Sequence, residues 1–214
     1  MESYMNRISN TGIVPVVKIL EKEDAYPLAK ALLNGGIDVI EVTYRSEHAT
    51  SAIQTISEQL PDMLVGAGTV LSVEQAKEAV EAGAKFIITP GFNTKVVQWC
   101  LDHDVEVYPG VSTASEVEMA LSMGLTQLKF FPAESSGGAK KLKDLSAPYA
   151  NVHFMPTGGI NTKNMHDYLS LPNVEAIGGS FMLPNDLVVA KDWDGIEALS
   201  RSAIKSLLDF QLIH

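Results

Sequence analysis

Short apolar runs rich in β-branched and aromatic residues alternate along this chain with longer stretches in which apolar residues recur at helical spacing. The runs fall near Ile13–Val17, Val39–Val42, Leu64–Val65, Phe86–Ile88, Glu106–Tyr108, Leu128–Phe131, His153–Met155 and Ala176–Ile177, and each predicts a strand. Between them the helical signal is clearest at Val73, Ala76, Ala79 and Val80, where Ser72 is placed to cap the helix and Gln75 to complete the cap. Gly35, Gly83 and Gly124 each stand where a helix should stop before the next strand, the position of a left-handed C-cap. Eight strand and helix units with short connections predict an α/β fold with a parallel sheet closed as a (β/α)8 TIM barrel, one domain over residues 1–214. A doubly wound open sheet is the competing arrangement. The leading residues up to Thr11 are expected to form a short helix covering the bottom of the barrel.

In a barrel the side chains that do chemistry project from the C-terminal ends of the strands. Here those ends read Glu41-Val42-Thr43-Tyr44-Arg45, Gly66-Ala67-Gly68-Thr69, Thr89-Pro90-Gly91, Pro109-Gly110-Val111-Ser112-Thr113, Pro156-Thr157-Gly158-Gly159 and Gly178-Gly179-Ser180, with Lys129 inside the sixth strand. Small, polar and glycine residues thus collect at one end, where a ligand can approach the backbone.

Lys129 lies in Leu128-Lys129-Phe130-Phe131, an amine among large apolar neighbours. Burial disfavours an ammonium, and a neutral amine is what attacks a carbonyl. The plainer alternative is a lysine whose stem packs on apolar surface while its head reaches water or a carboxylate. Glu41 in Val39-Ile40-Glu41-Val42 is an acid in a similar setting. Either the two form a structural ion pair, or Glu41 moves protons at a site where Lys129 is the nucleophile. Both alternatives place them together.

Gly158-Gly159 and Gly178-Gly179 follow the last two strands, where many barrels bind phosphate through backbone N–H groups. Ser180 offers a further hydroxyl donor and Thr157 a contact to a substrate hydroxyl. Arg45, four residues beyond Glu41, is placed to clamp a carboxylate beside Thr69. Lys140, Lys141 and Lys143 read as a solvated helix face, and Trp99 and Cys100 as packing residues. His48, His103, His153, His166 and His214 show no His-x-His or His-Glu-x-x-His spacing, so no metal site and no cofactor are expected.

A formal net charge of -10 argues against nucleic-acid binding and means that an anionic substrate must find its cations locally. No apolar run is long enough to cross a membrane, and Met1-Glu2-Ser3-Tyr4-Met5-Asn6-Arg7 lacks the apolar block of a secretory signal. One cysteine allows no internal disulfide. Together these predict a cytoplasmic protein with no nucleic-acid or membrane partner.

Taken in order, Glu41-Val42-Thr43-Tyr44-Arg45, Val65-Gly66-Ala67-Gly68-Thr69-Val70, Lys129-Phe130-Phe131-Pro132-Ala133-Glu134, Pro156-Thr157-Gly158-Gly159-Ile160 and Gly178-Gly179-Ser180 resemble the 2-keto-3-deoxy-6-phosphogluconate (KDPG) aldolase family. That family includes enzymes of 4-hydroxy-2-oxoglutarate (KHG) and of the galactonate epimer, and the similarity runs from Ile13 to Trp193. The resemblance implies a metal-independent class I aldolase, a homotrimer, acting on a 2-oxo acid or phosphorylated sugar acid. It implies Lys129 as the Schiff-base lysine and Glu41 as general acid and base. Arg45 and Thr69 would hold the pyruvyl carboxylate, with Pro90 and Phe131 as the wall beside it. Thr157, Gly158, Gly159, Gly179 and Ser180 would bind the hydroxyls and phosphate. Phe181 replaces the family's common Trp, and Tyr44 a common aliphatic residue, which bears on substrate preference more than on chemistry. A phosphosugar isomerase or epimerase, and a non-catalytic barrel binding phosphorylated metabolites, are the competing functions.

Overall fold

Strand after strand pairs in parallel in the computed structural model, which describes residues 3–212; Met1, Glu2, Ile213 and the histidine at 214, His214, lie outside the described residues. The order is α1 (Tyr4–Thr11), β1 (Ile13–Val17), α2 (Ala25–Asn34), β2 (Val39–Thr43), α3 (Ala49–Gln59), β3 (Leu64–Gly68), α4 (Val73–Glu81), β4 (Phe86–Ile88) and α5 (Thr94–Asp102). There follow β5 (Glu106–Tyr108), β6 (Gly110–Val111), α6 (Ala114–Ser122), β7 (Gln127–Phe130), α7 (Gly138–Ser146), β8 (His153–Pro156), α8 (Met165–Leu169), β9 (Ile177–Gly179), α9 (Asn185–Ala190) and α10 (Trp193–Gln211).

Six strands pair in the order β5-β4-β3-β2-β1-β9 and three more as β6-β7-β8. Two joins close them into a barrel. At the first, β5 and β6 are one strand interrupted at Pro109, which has no N–H for the ladder but whose carbonyl accepts from Lys129 N at 3.0 Å. At the second, single bridges Phe154↔Val174 and Thr157↔Gly178 tie β8 to β9. The open-sheet alternative is thereby removed.

Strand alternation sorts the side chains. Val14, Val39, Leu64, Phe86, Ile88, Tyr108 and Met155 fill the inside of the barrel, while their neighbours Ile13, Ile40, Val65, Ile87, Val107 and Phe154 join the helices in the outer core. The same period of two sends Glu41, two beyond Val39, inward. Lys129, between the outward Leu128 and Phe130, also faces inward.

The helix expected up to Thr11 forms as α1, capped by Ser3 and buried through Met5, Ile8 and Thr11. It covers the lower end, with Arg7 Nε 2.9 Å from Asp38 Oδ2 just before β2. Several boundaries differ from the sequence reading: β3 runs on to Gly68, Phe131 lies past the end of β7, β2 and β8 run one residue further to Thr43 and Pro156, and β9 spans Ile177–Gly179. Glycine at 68 hides a strand from a propensity reading, because glycine weakens strands except where another group needs the space. Of the three expected left-handed caps, Gly83 and Gly124 adopt φ 109° and 77°, but Gly35 is right-handed at φ -73° and Gly36 takes φ 94° instead. Gly35 is required for packing: a methyl there would overlap Ser200 Cβ and meet Glu197 O of α10 at 2.9 Å.

Candidate active site

Lys129 and Glu41 meet inside the barrel although 88 residues separate them. Nζ of Lys129 donates to Glu41 Oε1 at 3.1 Å and lies 3.5 Å from Oε2. Their side chains are 4% and 0% exposed. The pairing follows from register: Glu41 lies beside Gly66 on β3, and Lys129 beside Gly110 on β6 and Met155 on β8. The carboxyl fits because β3 carries glycine at 68; a Cβ there would overlap Glu41 Oε1. Gly66 similarly makes room for the Phe86 ring. The glycines at the end of β3 therefore accommodate the protein's own side chains.

Phe131 lies beside the amine, its ring centroid 5.2 Å from Lys129 Nζ. It also lies close to Gly158, where a Cβ would be 3.4 Å from Phe131 Cδ2. Hydrogen bonds from Ala133 N to Thr157 O at 2.8 Å and from Glu134 N to Gly158 O at 3.1 Å bind the turn after β7 to the turn after β8. Gly158 and Gly159 adopt φ 102° and 81°, a region that strains any residue with a side chain. Thr157 is buried and occupies the space left by Gly178, while Phe181 packs beside Gly179.

Arg45 donates from Nε to Thr43 Oγ1 at 3.0 Å, and Thr43 in turn donates to Val17 O at 2.7 Å. The guanidinium is thus oriented from β2 and β1 at the barrel mouth. It lines a cavity of about 190 Å³ with Ser180, Lys18, Leu20, Asn185 and Val188. Arg45 and Ser180, expected to bind different substrate ends, share this cavity. Lys18, one residue past β1, is the cation that the sequence reading missed; only the β1 and β9 pairing, with Pro15 beside Gly179, brings it near Ser180. Thr69 has φ 53°, left-handed for a β-branched residue. The Pro90 carbonyl lies against Gly110, where a Cβ would overlap it.

A hollow of about 600 Å³ opens at the other end of the barrel, around Tyr4, Glu106, Tyr108 and Gln127, away from the Lys129–Glu41 pair. Burial there raises the Tyr108 phenol, helped by its hydrogen bond to Glu106. Cys100 is buried on α5 and its thiol is pushed up to about 12 by that burial, which fits a packing role. Lys140 and Lys143 are exposed on α7. Among the described residues no group of three or more His, Cys, Asp or Glu side chains is gathered, and no helix is long and apolar enough to cross a membrane.

An inward amine in contact with an inward carboxyl, below a mouth lined with cations and left-handed glycines, can form and break a carbon–nitrogen double bond to a 2-oxo acid. Comparison with known proteins agrees. The family model for KDPG and KHG aldolase matches residues 4–199. A Treponema pallidum 2-dehydro-3-deoxy-phosphogluconate aldolase is 44% identical over 205 residues, 96% of this chain and 98% of that protein. An Escherichia coli K12 KHG/KDPG aldolase is 44% identical over 92% of this chain and 93% of its own. Among solved structures, a Legionella pneumophila KDPG aldolase with pyruvate captured at low pH as a covalent carbinolamine has a TM-score of 0.91 at 40% identity, covering 94% of this chain and 98% of that one. A Zymomonas mobilis aldolase with 3-phosphoglycerate has a TM-score of 0.86 at 36% identity, covering 93% and 94%. On the family model, the identity and the shared barrel alike, this chain belongs to the KDPG and KHG aldolase family.

Proposed function

We propose that the protein is a class I aldolase that cleaves 2-keto-3-deoxy-6-phosphogluconate to pyruvate and glyceraldehyde 3-phosphate, and 4-hydroxy-2-oxoglutarate to pyruvate and glyoxylate. The observation that carries the reading is the buried contact of 3.1 Å between Lys129 Nζ and Glu41. The Lys129 amine adds to the C2 ketone to give a carbinolamine, the kind of adduct present in the Legionella pneumophila relative. Glu41 delivers a proton to the carbinolamine hydroxyl, which leaves as water, and the iminium that forms is an electron sink. Glu41, directly or through water, then takes the C4 hydroxyl proton. As the C3–C4 bond breaks, its electron pair moves into the C2–C3 enamine and C4 becomes the aldehyde carbon. Protonation at C3 and addition of water release pyruvate and restore the amine.

Arg45 and Thr69 are assigned to the pyruvyl carboxylate, Pro90 and Phe131 to the wall, and Thr157 to the hydroxyls. Gly158, Gly159, Gly179 and Ser180 are assigned to the phosphate. Lys18 joins them as a local cation that a protein of net charge -10 needs for an anionic substrate. The chain is taken as one domain, assembled as a homotrimer in the cytoplasm; family resemblance supports the trimer, and the single cysteine fits a reducing compartment.

Borohydride added with pyruvate should leave a stable adduct on Lys129, located by peptide mass spectrometry, and Lys129→Ala should abolish both adduct and turnover. An unmodified Lys129 in active protein would refute the Schiff-base assignment.

A further inference from the structure

The chain between β1 and α2 and the chain around α9 form two walls of the cavity that Arg45 and Ser180 line. Lys18 and Leu20 come from the first wall, Asn185 and Val188 from the second. Lys191, the residue after α9, crosses between them. Its Nζ lies 2.7 Å from Asp24 Oδ1 and 3.1 Å from Glu21 Oε2, both on the first wall's chain. The Asp24 side chain is only 6% exposed, whereas that of Glu21 is 64% exposed. Water screens the Glu21 contact more, so Asp24 carries most of the tie.

The backbone supplies a second observation. Lys191 caps α9 at φ 55°, ψ 33°, left-handed, where a side chain is strained and glycine is not. A lysine in this conformation, with its amine on two carboxylates, indicates that the ammonium has a task that outweighs the strain. Hydrogen bonds to Asp24 first and Glu21 second hold that amine above the ordinary lysine range.

We propose that Lys191 is a positioning residue that holds the segment from Lys18 to Asp24 against α9, and so sets the affinity for a substrate whose phosphorylated end reaches the cavity between them. This rests on the aldolase reading above. The shorter 4-hydroxy-2-oxoglutarate ends in a carboxylate on the carbon next to its hydroxyl and has no phosphate to place there.

The test is steady-state kinetics of Lys191→Gly and Lys191→Arg on both substrates, with thermal melting as a check on folding. Lys191→Gly removes the amine from Asp24 and relieves the left-handed strain together, two effects of opposite sign on stability, so its melting temperature should change little. Its KM for 2-keto-3-deoxy-6-phosphogluconate should rise about threefold to fivefold, the size expected of a partly exposed ion pair, with kcat within about twofold. Its KM for 4-hydroxy-2-oxoglutarate, which shares only the pyruvyl carboxylate at Arg45 in this cavity, should change by less, within about twofold, and Lys191→Arg, which keeps the cation, should behave as wild type. An equal KM change on both substrates, a fall in kcat on both, no change at all, or an arginine variant as impaired as the glycine one overturns the proposal. Wild-type protein that cleaves neither substrate overturns the aldolase reading and the clamp with it, whereas active wild type with a silent Lys191→Gly removes the clamp alone.

Discussion

Gly68 shows how narrowly the catalytic carboxyl is placed. An added methyl would overlap Glu41 Oε1 and lie 2.6 Å from its Cδ, and Glu41, fully buried, has no solvent to swing into. Gly68→Ala should therefore push the carboxyl away from Lys129 and lower kcat by about a hundredfold, the usual cost of a misplacement near 1 Å. Gly91→Ala is the control: nothing lies within 4 Å of its Cβ position, and its activity should stay within about twofold. Equal activities in steady-state assays would show that the carboxyl's position is not critical. The two residues that define the chemistry were legible in the sequence, because a lysine in Leu128-Lys129-Phe130 and a glutamate in Ile40-Glu41-Val42 break apolar runs. Gly68 was not, since the side chain that needs its space comes from a neighbouring strand. Lys18 was equally hidden, because a lysine just past a strand reads as a solvated charge until β9 is known to lie beside β1.

At the scale of elements, α6 starts where β6 opens onto the barrel mouth, and its first turn is held by a reciprocal cap. Thr113 Oγ1 accepts from Glu116 N at 3.3 Å, and Glu116 Oε2 accepts from Ser112 N at 2.8 Å and Thr113 N at 2.9 Å. Burial opposes ionisation of Glu116, but the hydrogen bonds from Ser112 and Thr113 together outweigh it and hold the carboxyl below its ordinary value. A carboxyl depressed in the folded state contributes stability above its unfolded pKa, and that contribution is lost as pH falls through the folded value. Thr113→Ala should thus cost about 1 kcal/mol near neutral pH. Glu116→Gln should reduce the loss of stability on acidification, measured by urea unfolding from neutral pH down past the ordinary glutamate range. A slope identical to wild type would remove Glu116 from the acid response. Local signals such as Ser72 with Gln75 were readable in advance; Ser72 Oγ does accept from Gln75 N at 3.2 Å. Gly35 misled for a physical reason: its small size serves a contact with α10, distant in sequence, and the left-handed turn falls one residue later.

The whole barrel sets the last constraint, because strand alternation sends a carboxyl and an amine into an interior that also holds Val14, Val39, Leu64, Phe86, Ile88, Tyr108 and Met155. The number of strands and their parallel order followed from the eight apolar runs, but the two joins that close the circle, at Pro109 and between β8 and β9, depend on contacts that no single run encodes. Within a closed barrel a buried polar pair is a burden on stability unless it has other work. Removing one partner of a buried pair typically costs about 3–5 kcal/mol, while replacing both with apolar residues of similar volume is often neutral or stabilising by about 1–4 kcal/mol. Lys129→Met alone should therefore lower the melting temperature. Lys129→Met with Glu41→Leu should bring it back to or above wild type, by roughly 2–4 °C for each kcal/mol gained in a chain of this size. The double variant would be inactive and at least as stable, which is what a pair kept for chemistry requires. If the double variant instead melts below Lys129→Met alone, the pair is a brace that holds β2 against β7, and its catalytic work rests on the trapped pyruvate adduct.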